Sequence, residues 1–247
     1  SPASDITDNE LVLLKDYLKN GGDIVLVTDL SKYNKENFPN LSSLAADMGL
    51  ESTDGIILET DTNYYSNYLN YLMPKLGDTS SAPMSFMANT NYYVYMLNAH
   101  GITQKEGTEA TITPILTTSE KAIAKTSGNT SSAELEEGDV EGQFYVGALS
   151  SLTNSESGKT GRFIWYSSPT IADGNSSGRG NTALFAATAN TVCGKTTSIS
   201  IIGKDVGIQP LEVTEAESLN WSIILVGFVP LAFIAGGLTI WIRRRRR

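Results

Sequence analysis

The sequence predicts an α/β domain carried on a single C-terminal membrane-spanning helix. Three observations lead there: a helix followed by a buried strand opens the chain, a 24-residue stretch without a charge lies near its end, and five arginines follow at once. With 247 residues, 40 % of them hydrophobic, the chain is long enough for one sizeable core plus an accessory element.

Thr7 and Glu10 have the spacing of a capping box, and Leu11, Leu14 and Leu18 then form a helical stripe that ends at Gly21 and Gly22. Asp23 to Thr28 contains the apolar run Ile24-Val25-Leu26-Val27, as expected of a strand covered on both faces. Pro39 opens a second helix, Leu41 to Met48, closed by Gly49, and Gly55 to Glu59 is the next strand. Between Asp61 and Leu76 four tyrosines gather, Tyr64, Tyr65, Tyr68 and Tyr71. They read either as a stacking platform for sugar rings or bases, or as a helix or loop whose amphipathic side chains cover the domain edge.

Asn91 to Leu97, Ile112 to Thr118, Gln143 to Leu149, Arg162 to Tyr166 and Ile199 to Ile202 are further strands. The segment SGNTSSAELEEG between Ser127 and Gly138 reads as an exposed loop, with Glu134, Glu136 and Glu137 as solvated charges. NTALFAATANTV, from Asn181, has the spacing of a helix packed on the sheet. The expected organisation is an α/β domain over 1–204, a juxtamembrane linker over 205–218, a transmembrane helix over 219–242 and a basic tail over 243–247.

Leu219 to Ile242 would measure about 36 Å as a helix, enough for a hydrocarbon core of about 30 Å. Trp221 and Trp241 mark the two interfaces, and Arg243, Arg244 and Arg245 begin a tail that the positive-inside rule places in the cytoplasm. The expected location is therefore the cell membrane, crossed once, with the bulk of the chain extracytoplasmic. Pro230 removes a donor mid-span and predicts a bend in place of a break. Gly236, four residues after Ala232, has the spacing that lets a second helix approach, and is also ordinary in a lipid-facing anchor. The chain opens Ser-Pro-Ala-Ser without a signal-type stretch, so it is expected to be a fragment whose export depends on something upstream.

Residues 1–218 contain thirteen basic against 27 acidic residues, a formal charge of −14, which disfavours nucleic acid as a partner. One cysteine, Cys193, forms no internal disulfide, and one histidine, His100, builds no multi-histidine metal site. Ala189 to Thr196 fits a relaxed phosphate-loop pattern, but helix and strand come in the wrong order around it. A thiol hydrolase using Cys193 and His100 is disfavoured because the thiol would sit at a helix C-terminus, where the dipole opposes a thiolate. Asp29 ends the first strand, at the sheet edge where α/β proteins bind ligands, and is the one ligand-binding candidate. It is equally a turn former. No catalytic residue, metal ligand or cofactor is expected.

SDITDNELVLLKDYLKNGGDIVLVTD, FPNLSSLAADMGL, DGIILE, TPILTTS, GRGNTALFAATANTV and the apolar helix ending in WIRRRRR follow one another in an order that resembles the GldG-type auxiliary proteins of ABC transport systems, a gliding-motility-associated family. The resemblance implies an extracytoplasmic, open, mostly parallel α/β sheet with flanking helices, related to class I glutamine amidotransferases without their catalytic residues. It implies an N-terminal truncation, with the first strand lying before Ser1 and Pro2 and Asp5 reproducing the family's Pro-x-x-Asp element. It also implies an export-type ABC permease and its cytoplasmic ATPase as partners, beside the lipid bilayer. The expected function is thus a non-catalytic, membrane-anchored auxiliary subunit of an ABC transport system. An anchored glycan-binding module or hydrolase of the cell envelope is the alternative.

Overall fold

The computed structural model describes residues 1–85, 92–173, 179–194 and 213–245. The chain begins with α1 (Asp8–Lys19), β1 (Asp23–Val27), α2 (Pro39–Asp47), β2 (Leu50–Thr53) and β3 (Ile56–Leu58). Short strands β4 (Tyr65–Ser66), β5 (Tyr68–Leu72), β6 (Lys75–Leu76) and β7 (Met96–Leu97) come next, then β8 (Gly101–Gln104), β9 (Thr111–Thr117), β10 (Ile123–Lys125) and β11 (Val140–Glu141). The long hairpin β12 (Tyr145–Thr153) and β13 (Thr160–Tyr166) leads through a 3₁₀ turn at Pro169–Ala172 to α3 (Arg179–Val192). Last come α4 (Glu215–Ser222), one π-helical turn (Ile223–Phe228) and α5 (Val229–Arg245).

The α/β class holds, but the main sheet is mixed. Its order is β1-β13-β12-β8-β2, with β9 pairing both β12 and β6, and among the described residues only β1 and β13 run parallel. The expected mostly parallel sheet is not what these pairings form. A two-face-buried apolar run such as Ile24 to Val27 is blind to the direction of its neighbour, and the tight β12–β13 hairpin can only be antiparallel. Two three-stranded sheets, β11-β10-β3 and β4-β5-β7, flank the main one. The tyrosine-rich segment is therefore a strand ribbon, in keeping with the preference of tyrosine for pleated, half-buried surfaces. The expected strand at Asn91 to Leu97 shrinks to Met96–Leu97, and Ile199 to Ile202 lies outside the described residues.

Strand alternation divides the core between the two faces of the sheet. Ile24, Leu26, Phe163 and Trp165 point towards α1 and α2, where they meet Leu18, Leu41, Leu44 and Met48. Val25, Val27, Ile164 and Tyr166 point the other way, towards Leu184 of α3 and the smaller sheets. Local signals fix the helices. Thr7 and Glu10 form the capping box reciprocally, with Thr7 N donating to Glu10 at 2.8 Å and Glu10 N to the Thr7 hydroxyl at 3.3 Å. At α2 the residue before Pro39 makes no side-chain cap. Asp5 does that work from afar, its two oxygens accepting from Asn40 N at 2.8 Å and Leu41 N at 3.0 Å.

Gly161 marks where α1 crosses β13. A Cβ there would lie 2.2 Å from the Leu18 carbonyl oxygen, which is backbone and cannot rotate away. Gly161→Ala is expected to lower stability by about 3 kcal/mol in chemical denaturation, the range of core overpacking.

Candidate functional site

Asp29 lies two residues past the end of β1, near where the sequence places it, and its side chain closes a turn. Asp29 Oδ1 accepts from Ser31 N at 3.0 Å and from the Ser31 hydroxyl at 2.7 Å. The turn borders a cleft of about 390 Å³ shared with Gly55, Asn98 and Lys125. The polar groups of this region are engaged with one another. Lys125, fully buried, meets Asp139 at 2.8 Å, Glu136 at 3.2 Å and the Glu134 carbonyl oxygen. Burial alone would pull the lysine pKa down, but the two carboxylates outweigh it and raise it. Asp139 is held well below the usual carboxylate range, first by Lys125 and then by backbone amides of Thr126 and Glu136. Glu136 is thus an ion-pair partner that pins the acidic loop, while Glu134 and Glu137 stay exposed.

Beside Thr28, at the end of β1, lies His100, fully buried. Its Nδ1 bonds the Gly101 carbonyl oxygen at 2.9 Å and its Nε2 pairs with the Thr28 hydroxyl at 2.8 Å, which also accepts from Trp165 Nε1 at 2.9 Å. Tyr33 stacks on the imidazole at a centroid distance of 5.2 Å. Burial brings the His100 pKa down to about 4, against a smaller upward effect of the Gly101 carbonyl. The neutral tautomer that fits these partners carries its proton on Nδ1. With both nitrogens occupied, His100 is no partner for Cys193, which is exposed just past the C-terminus of α3. Helix α3 precedes the Gly194-Lys195-Thr196 run, while 195–200 lie outside the described residues. Among the described residues, no group of three or more His, Cys, Asp or Glu side chains is placed to hold a metal ion.

A second constellation joins the domain to its C-terminal helix. From Glu215 to Arg245 the chain is one helix of 31 residues, long and apolar enough to cross a membrane and unburied throughout. Residues 215–218, expected as linker, are its first turn. Thr214 and Glu217 form a capping box like that of Thr7 and Glu10, with Thr214 N donating to Glu217 at 2.9 Å and Glu217 N to the Thr214 hydroxyl at 3.2 Å. The Thr-x-x-Glu spacing that forms this box is visible in the sequence. The Thr214 amide is the main cause holding the Glu217 pKa below its ordinary value.

Two bonds seat this turn on the domain: Ala216 N donates to the Thr62 carbonyl at 3.0 Å, and the Tyr93 hydroxyl donates to Glu217 Oε1 at 3.2 Å. Both supports are themselves fixed. Buried Glu59 accepts from Ser119 N, the Ser119 hydroxyl and Asp61 N at 2.9, 2.6 and 3.0 Å, which holds the approach to Thr62. Buried Asn181 grips the other arm, accepting from Tyr95 N at 2.8 Å and donating to the Tyr95 carbonyl at 2.7 Å. Gly180 lets α3 approach that arm, since a Cβ there would lie 2.0 Å from the Tyr93 carbonyl oxygen. The Gly-Asn-Thr-Ala-Leu-Phe element therefore has a structural role: it clamps the segment on which the C-terminal helix is seated.

Trp221, Pro230, Gly236, Trp241, Arg243, Arg244 and Arg245 all lie on this helix and are all exposed. Pro230 leaves the helix unbroken. The chain widens to a π turn just before it, with Val229 N reaching back to the Ile224 carbonyl. The guanidinium of Arg245 sits 5.2 Å from the ring centre of Trp241. Of the tyrosines, Tyr68 is 62 % exposed and meets Tyr71 edge-on at 5.0 Å, while Tyr64, Tyr65 and Tyr71 are partly covered.

No family model matches this chain, and no curated protein matches it. Among solved structures it resembles the mmIFT52 N-terminal domain, at 14 % identity and a TM-score of 0.50, over 81 % of this chain and 77 % of that one. At that identity the likeness is one of fold alone.

Proposed function

We propose that this chain is a non-catalytic, membrane-anchored auxiliary subunit of an ABC export-type transport system, with its α/β domain outside the cell membrane and its arginine tail in the cytoplasm. The observation that carries the anchoring is the unbroken helix from the capping box at Thr214 to Arg245, apolar between and basic at its end. The transport role rests on the resemblance of the ordered sequence elements to the GldG-type family. That the cleft beside Asp29 has its charged and polar groups turned on one another, and that His100 and Cys193 are apart in burial, supports a docking body over a reaction centre.

Isolation of the full chain in mild detergent is expected to bring down an ABC permease and an ATPase. Recovery of the protein alone would overturn the transport role. Lys19 and Lys75 are both exposed, so a membrane-impermeant amine reagent is expected to label them in intact cells. Labelling only after lysis would reverse the assigned orientation.

A further inference from the structure

We propose that the segment 61–65, at the foot of the β4–β5 ribbon, is a contact surface for the lipid headgroup layer. The proposal rests on the C-terminal helix spanning a bilayer and is independent of which proteins the chain assembles with.

The argument is one of distance. Thr62 is bonded to Ala216, and the charge-free stretch begins three residues later at Leu219, about 4.5 Å further along a helix that rises 1.5 Å per residue. Each headgroup layer is about 5–8 Å thick, half the difference between a whole bilayer and its hydrocarbon core. With Leu219 at the hydrocarbon boundary, the Thr62 carbonyl and its neighbours lie inside that layer. The bonds of Glu59, Thr60 and Asn63 keep them there: the Thr60 hydroxyl donates to the Lys121 carbonyl at 2.8 Å, and Asn63 bonds Asp61 through its amide and side chain at 3.0 and 2.7 Å.

The side chains suit the location. Tyr64 and Tyr65 are half-buried, with an apolar body and a polar tip, the kind of side chain that gathers at membrane interfaces. Burial, followed by the nearby charge of Glu215, raises the Tyr65 pKa, which agrees with a ring beside the first turn of α4. The local charge is acidic, with Asp61, Glu215 and Glu217 close together, so attraction to anionic lipid contributes nothing. Contact with a zwitterionic surface should therefore persist in high salt.

The test uses the full chain in phosphatidylcholine vesicles, with Cys193→Ser as background and an environment-sensitive fluorophore on one introduced cysteine at a time. Asn63→Cys reports the proposed surface, Ser155→Cys the β12–β13 turn, and Leu225→Cys the span itself. A nitroxide on the lipid headgroup is expected to quench the label at residue 63 several-fold more than that at 155, with little change in high salt, while an acyl-chain nitroxide quenches the label at 225. Equal, weak quenching at 63 and 155 with strong quenching at 225 would overturn the proposal and leave the span standing. Absence of quenching at 225 would overturn the span and the headgroup contact with it.

Discussion

Acidification from pH 7 to pH 4 is expected to cost the α/β domain about 3 kcal/mol through His100 alone. The buried imidazole has its pKa brought from 6.5 down to about 4, so the unfolded chain takes up a proton that the folded one refuses. Above about pH 6.5 neither state is protonated and the contribution is constant. As pH falls through 6.5 the unfolded state gains, and the loss grows until the folded state protonates near pH 4. Each unit is worth about 1.4 kcal/mol, and burial is complete, so little solvent screening reduces the sum. Denaturant titrations in detergent at several pH values, followed by near-ultraviolet circular dichroism, measure it. His100→Gln retains groups able to face Thr28 and Gly101, and is expected to flatten the stability profile between pH 6.5 and 4. An unchanged slope in that variant would assign the acid sensitivity to other groups.

Asn181→Ala is expected to destabilise the domain by about 3 kcal/mol and to lower its thermal midpoint by about 10 °C. The buried amide serves three backbone groups: the Tyr95 N–H, the Tyr95 carbonyl and, at 3.2 Å, the Thr170 carbonyl. Removal of the side chain takes one bond from each of them, the Thr170 carbonyl keeping only the Asp173 amide at 3.3 Å, and the loss of a hydrogen bond at a buried site costs about 1–3 kcal/mol. Asn181→Asp should be worse than its near-identical shape suggests. It exchanges the donor for a second acceptor and sets a carboxylate against two carbonyl oxygens. Scanning calorimetry of both variants, with the order Asp below Ala below wild type, checks the argument. A midpoint unchanged in the alanine variant would show that the clamp on residues 93–95 contributes little.

What was legible in the sequence was local. The capping box at Thr7 and Glu10, the proline that opens α2, the apolar run of β1 and the charge-free span each depend on residues a few positions apart, and each lies where it was expected. Strands β2, β8, β10 and β11 were not read, because two to four residues are too few to establish an alternation. The direction of pairing was equally hidden, since it is set by partners far along the chain. The junction shows the same limit. Tyr93 and Glu217 are 124 residues apart, and nothing in either neighbourhood names the other. Asp29 was placed correctly at a strand end, yet its turn-forming role depends on Ser31, which the sequence could have suggested by the Asx-turn spacing.

The π turn before Pro230 has a mechanical consequence. Since the helix that leaves the domain is the same rod that enters the apolar stretch, a tilt or torque imposed on the domain passes to the arginine end without a swivel between them. The wide turn at Ile223–Phe228, less tightly wound than its neighbours, is where that rod bends most readily, so it sets the direction in which a tilt is passed on to Arg243.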